Sequence, residues 1–155
     1  MTSFGPMRYV QVDDVLDPQP YLDALPGLKD QLPPGAHRFA ADPDHYDFWG
    51  LRCVHDLELG RITLADEPGG PVEVELVGNQ WKHDADLILR YSGFRSSSIT
   101  NDGPALSHRA LGDLMLDELV PADDGGVRHT MAFEGGTVEI VAADVTHEWV
   151  QTTGP

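Results

Sequence analysis

Arg128-His129-Thr130-Met131-Ala132-Phe133-Glu134-Gly135-Gly136-Thr137-Val138-Glu139-Ile140-Val141-Ala142 is the stretch that decides the fold. Met131 and Phe133 alternate before a Gly-Gly pair, and Val138 and Ile140 alternate after it, the pattern of two strands joined by a tight hairpin. A loop at Gly135-Gly136 using positive φ angles predicts Glu134 opposite Thr137, Phe133 opposite Val138 and Met131 opposite Ile140. Apolar residues then meet apolar partners on one face. Thr130 with Val141 and Ala132 with Glu139 form a mixed face that can be solvated.

Working outward, Val72, Val74 and Leu76 alternate with Glu73 and Glu75 after a Glu67-Pro68-Gly69-Gly70 turn, giving a strand with one wet side. Leu57 and Leu59 share one parity, whereas Ile62 and Leu64 share the other, so Cys53 to Ala65 predicts a strand with a β-bulge at Gly60. Asp86 to Tyr91 is a further strand, and Phe4 to Val12 a first one. Leu111 to Val120 fits both a helical stripe and a strand, and the β context favours the strand. Asp17 to Leu32 has room for a short helix, opened by Asp17-Pro18 and limited by Pro26-Gly27 and Pro33-Pro34. Gly35 to Gly50 reads as a long, packed connection. The predicted core is Leu57, Leu59, Val74, Leu76, Leu87, Leu89, Met131, Phe133, Val138 and Ile140.

With 155 residues, 41% of them apolar, the chain can close one core, so residues 1–155 read as a single domain. Its 16 Gly and 12 Pro punctuate short apolar runs. The expected class is all-β or β-dominated α+β, with about seven to nine mostly antiparallel strands in a sandwich or partly open barrel and at most two short helices.

Asp and Glu number 26 against 10 Lys and Arg, a formal charge of −16 that repels nucleic-acid phosphates and anionic lipid and favours a basic protein as partner. No run approaches the roughly 20 apolar residues of a membrane span. The lone Cys53 has no disulfide partner, and Met1 to Pro6 lacks a basic or apolar leader, so the expected location is a reducing cytoplasm.

Two segments begin with His-Asp: His55-Asp56 and His83-Asp84. A metal site or general base assembled across strands would draw on His55, His83 and Asp86, with His129 or His147 as a further ligand. Consecutive strand residues face opposite ways, and the spacing matches no HExxH or paired CxxC pattern, so the competing reading is histidines that hydrogen-bond turns. No cofactor, metal or catalytic residue is assigned. Ser96-Ser97-Ser98 lacks a nucleophile elbow, and Cys53 reads as a small buried hydrophobe. The Gly pairs at 69–70, 125–126 and 135–136 read as turns. Asp117-Glu118 and Asp123-Asp124 read as solvated carboxylates at strand ends. In Asp42-Pro43-Asp44-His45-Tyr46-Asp47-Phe48-Trp49, the aromatics are expected to lid one end of the sheet, and a binding role is the alternative.

Val54-His55-Asp56-Leu57-Glu58-Leu59-Gly60-Arg61-Ile62, with Leu89 to Phe94 and His129 to Trp149, resembles small β-rich bacterial proteins. Some with a similar His-Asp-x-x-Leu-x-x-Ile opening look like immunity proteins of toxin systems. The resemblance transfers no catalytic residue. It implies a non-enzymatic binding module whose acidic surface complements a basic toxin domain; the alternative is a small metal-assisted enzyme or ligand-binding barrel using His55, His83 and Asp86.

Overall fold

Alternating apolar residues in a chain broken by Gly and Pro build one antiparallel sheet backed by short helices. The computed structural model describes residues 17–101, 108–123 and 125–151. In chain order these form α1 (Gln19–Leu28), α2 (Pro34–Ala40), β1 (Glu58–Thr63), β2 (Val72–Val77), β3 (Ala85–Asn101), the single turn α3 (His108–Leu111), β4 (Leu114–Pro121), β5 (Val127–Phe133) and β6 (Gly136–Gln151). The expected strand Phe4 to Val12 lies outside the described residues.

The strand order is β1-β2-β3-β6-β5-β4 in a six-stranded antiparallel sheet. The β-dominated α+β reading holds: of the two expected forms, sandwich or partly open barrel, the described residues give no second sheet, and they form a single open sheet of six strands rather than seven to nine. The sheet curls until its outermost strands touch at one end. There Glu58 bridges Asp113, Asp56 N–H donates to Leu114 O (2.8 Å) and Leu114 N–H donates to Leu57 O (2.6 Å). No ladder continues between β1 and β4, so the barrel stays open.

The second layer is helical. Tyr21, Leu25, Leu28 and Leu32 recur at helical spacing and join Ala36, Phe39 and Ala40 in the same core cluster as the strands. All ten predicted core residues are buried, none more than 6% exposed. The bulge at Gly60 is present as a register shift between Leu59 and Arg61.

Three local expectations are corrected. Helix α1 continues through Pro26 to Leu28. Pro33-Pro34 does not stop a helix but starts α2, whose first turn is capped from β6: Asp144 accepts the N–H groups of Gly35 (3.0 Å) and Ala36 (2.8 Å). Leu111 to Val120 is divided, because α3 ends at Leu111, Gly112 turns the chain at φ 71°, and β4 follows.

The hairpin keeps its predicted faces but not its register. Phe133 pairs with Gly136, Met131 with Val138 and His129 with Ile140, so the loop is Glu134-Gly135. A slip of two residues preserves which side chains share a face. Neither Gly135 nor Gly136 has positive φ. Their role is close approach: a Cβ at Gly135 would lie 1.9 Å from Ala110 O, and one at Gly136 2.0 Å from Thr100 O. Hydrogen bonds from Gly135 N–H to Leu111 O (2.8 Å) and from Glu134 N–H to Asp113 O (2.9 Å) bolt the turn to the α3–β4 junction. Those contacts set the register. The face expected to be solvated is covered, with Thr130 and Ala132 both buried. Among the described residues, no helix is long and apolar enough to cross a membrane.

Candidate functional site

The residues Ala41 to Leu57 link α2 to β1 and are pinned by a buried polar cluster. Asp117, on β4, accepts from His45 Nε2 at Oδ1 (2.7 Å) and from His129 Nε2 at Oδ2 (2.7 Å). His45 Nδ1 lies 2.9 Å from Phe39 O, and Tyr91 Oη lies 2.7 Å from His129 Nδ1. Tyr46 O–H donates to the Asp117 carbonyl at 3.0 Å.

Both nitrogens of His45 face a carbonyl and a carboxylate, so the ring is placed to donate a proton at each. His129 needs only one: its Nε2–H meets Asp117, and Nδ1 accepts from Tyr91. Burial pushes the Asp117 carboxyl up. The His45 charge and hydrogen bonds from both histidines outweigh it, holding Asp117 well below the usual carboxylate range. Burial and the Asp117 charge push the Tyr91 phenol well up, keeping its proton available for His129. The His45 ring lies between Phe39 (centroids 4.2 Å) and Tyr46 (4.1 Å), aromatic neighbours suited to a cation. His45, Asp117, Tyr91 and His129 are at most 2% exposed, so they meet no substrate in this conformation. They anchor the connection.

Its outward end carries the surface chemistry. Asp47 Oδ1 accepts Trp49 N–H (3.3 Å), and Asn79 Oδ1 accepts Trp81 N–H (2.9 Å), so the same short-range turn presents both tryptophans. Trp49 is 96% and Trp81 86% exposed, with Leu51 at 60%. The two loops are tied together. His83 Nε2 donates to Cys53 O (2.9 Å), Arg52 Nε donates to Asp84 (3.1 Å) and Lys82 Nζ donates to Asp56 (3.3 Å). Between them lies a cavity of about 430 Å³ lined by Phe48, Trp49, His55, Asp56 and Lys82. Phe48 stacks on His55 at 4.6 Å, and Asp56 is held at φ 76°.

The residues singled out in the sequence are distributed otherwise. His83 accepts Asn79 N–H at Nδ1 (3.0 Å) while donating at Nε2, so both nitrogens serve turns, and burial pushes its pKa down. His55 Nδ1 donates to Met115 O (2.8 Å), and Asp86 Oδ1 accepts Gly78 N–H (2.8 Å). Among the described residues, no group of three or more His, Cys, Asp or Glu side chains converges as a metal site. His129 belongs to the buried cluster. The His147 ring packs at a tilt against Phe39 (centroids 4.6 Å), with Nε2 3.5 Å from Asp42. Cys53 is fully buried, and burial pushes its thiol up. Ser96, Ser97 and Ser98 lie exposed along β3. Asp124 lies outside the described residues.

Two expectations fail here. Asp117 and Glu118 are fully buried, not solvated, a state signalled by the flanking Leu114, Leu116, Leu119 and Val120. Trp49 is not part of a lid; only Tyr46 and Phe48 pack on the core. Sequence reasoning also passed over Trp81, for which an Asn two residues earlier was the local signal. No protein family matches the chain, and no curated protein does either.

Proposed function

We propose that this chain is a non-enzymatic binding module that docks a basic protein through the end bearing Trp49 and Trp81. The observation that carries the reading is the near-complete exposure of both tryptophans, 96% and 86%, on loops cross-tied by hydrogen bonds. Tryptophan is enriched among residues that dominate binding energy, and pre-ordered anchors lose little entropy on docking. The formal charge of −16 favours a basic partner, and Asp42, Asp44 and Asp47 beside Trp49 contribute locally. A toxin domain neutralised by its immunity protein has this chemistry, and the resemblance of the Val54–Ile62 segment points the same way.

The test pairs the purified chain with a basic toxin-like domain encoded by a neighbouring gene and measures affinity by calorimetry. Trp49→Ala and Trp81→Ala should each weaken binding by roughly 25-fold or more, the equivalent of about 2 kcal/mol, with unchanged melting temperatures. Wild-type affinity in both variants would overturn the assignment of this end.

A further inference from the structure

The outer edge of β3 is unusual. Strand β2 pairs with β3 only between Leu87 and Tyr91, because β2 begins at Val72, just after Pro71, and β3 then bends at Gly93, φ 60°, with a register shift between Phe94 and Ser96. Beyond the bend, Ser96 to Thr100 pairs with Val141 to Thr137 of β6 on one side. Among the described residues, no strand pairs with the other side.

The outermost strands of the sheet carry protections that this edge lacks. Strand β1 has the Gly60 bulge and Arg61, while β4 has the buried carboxyl groups of Asp117 and Glu118 and ends at Pro121. Ser96-Ser97-Ser98-Ile99-Thr100 has no charge and no proline, and all five side chains are exposed. A row of unpaired backbone donors and acceptors on such a segment is a template for another strand.

We propose that this edge binds the same edge of a second copy of the chain, antiparallel about a two-fold axis through Ser98. The segment is self-complementary in that arrangement: Ser98 faces its counterpart, Ser97 faces Ile99, and Ser96 faces Thr100, whose hydroxyls share a face. The segment itself offers nothing to attract a basic partner. The five residues offer no carboxylate, and the neighbouring Glu139, opposite Ser98, already has Arg128 at 4.0 Å. The pairing leaves Trp49 and Trp81 free, because they lie beyond the opposite end of β3. It therefore stands or falls separately from the proposed partner site.

Salt separates the two interfaces. Each copy carries −16, so screening strengthens self-association, whereas it weakens attraction to a basic protein. Sedimentation equilibrium of the intact chain should show a dimer that tightens as salt rises from roughly 0.05 to 0.5 M. Ser98→Lys and Ser98→Glu each put like charges face to face on the axis and should be monomeric with near-native melting temperatures, and an equimolar mixture should restore the dimer. In the wild type, amide exchange at Ser96 to Thr100 should slow as concentration crosses the dimerisation range. A monomer at every concentration and salt, a dimer unchanged in both variants, or an unrestored mixture would overturn the proposal. Exchange at Ser96 to Thr100 that does not depend on concentration would overturn it too.

Discussion

Replacing Asp117 with Asn removes the buried carboxylate that accepts from both His45 and His129. Removing one member of a buried pair costs about 3–5 kcal/mol, and Asp117→Asn should lower denaturant stability by that order. The pH dependence follows from the shifted groups. The folded pKa of Asp117 is depressed, so its contribution is complete above the unfolded value of about 3.9 and is lost as pH falls below it. Burial also depresses His83 and His147, whose neutral forms stabilise the fold fully above about pH 6.5 and progressively less below it. Acidification should therefore reduce stability in two stages. Denaturant titrations across pH should show Asp117→Asn losing the lower stage and keeping the upper one. The flanking Leu114, Leu116, Leu119 and Val120 signal that Asp117 is buried, but they do not say what it meets. Its partners are set by the distant positions of His45 and His129.

Helix α2 shows the same limit at the scale of an element. Its seven residues have no cap of their own, since Pro33 precedes them, and the cap comes from Asp144, more than a hundred positions away. Asp144→Ala should cost about 1 kcal/mol in denaturant stability and speed amide exchange in α2 selectively. An unchanged α2 would show that packing of Phe39 and Ala40 suffices. A local reading of Pro33-Pro34 as a stop was reasonable, because the partner that makes it a start is on β6. The hairpin behaves alike. Its two strands and their faces were legible from period-two alternation, but the turn was displaced by contacts with Ala110, Leu111 and Asp113.

For the whole molecule, the charge of −16 makes a kinetic prediction. Association with a basic partner should slow as salt shortens the Debye length from roughly 10 Å at 0.1 M to about 3 Å at 1 M. Dissociation should change less, and stopped-flow mixing separates the two; a salt-independent association rate would rule out long-range steering. Charge reversal at Glu73 and Glu75 is a weak probe of this effect. Those carboxylates are partly shielded by Arg90 at 3.1 Å and Arg61 at 3.8 Å, so their face is not the bare acidic one that alternation suggested. The sequence by itself determined the β-dominated class, the bulge at Gly60, one buried face of each of β1, β2, β3, β5 and β6 and the sign of the surface field, because alternation, turn chemistry and summed charge are local or additive properties. Tertiary structure alone decided that one curled sheet is backed by helices rather than by a second sheet, that Asp117 is buried between two histidines, and that Trp49 and Trp81 stand exposed on tied loops. Those outcomes depend on contacts between residues far apart in the chain, and neither local periodicity nor composition encodes which distant groups will meet.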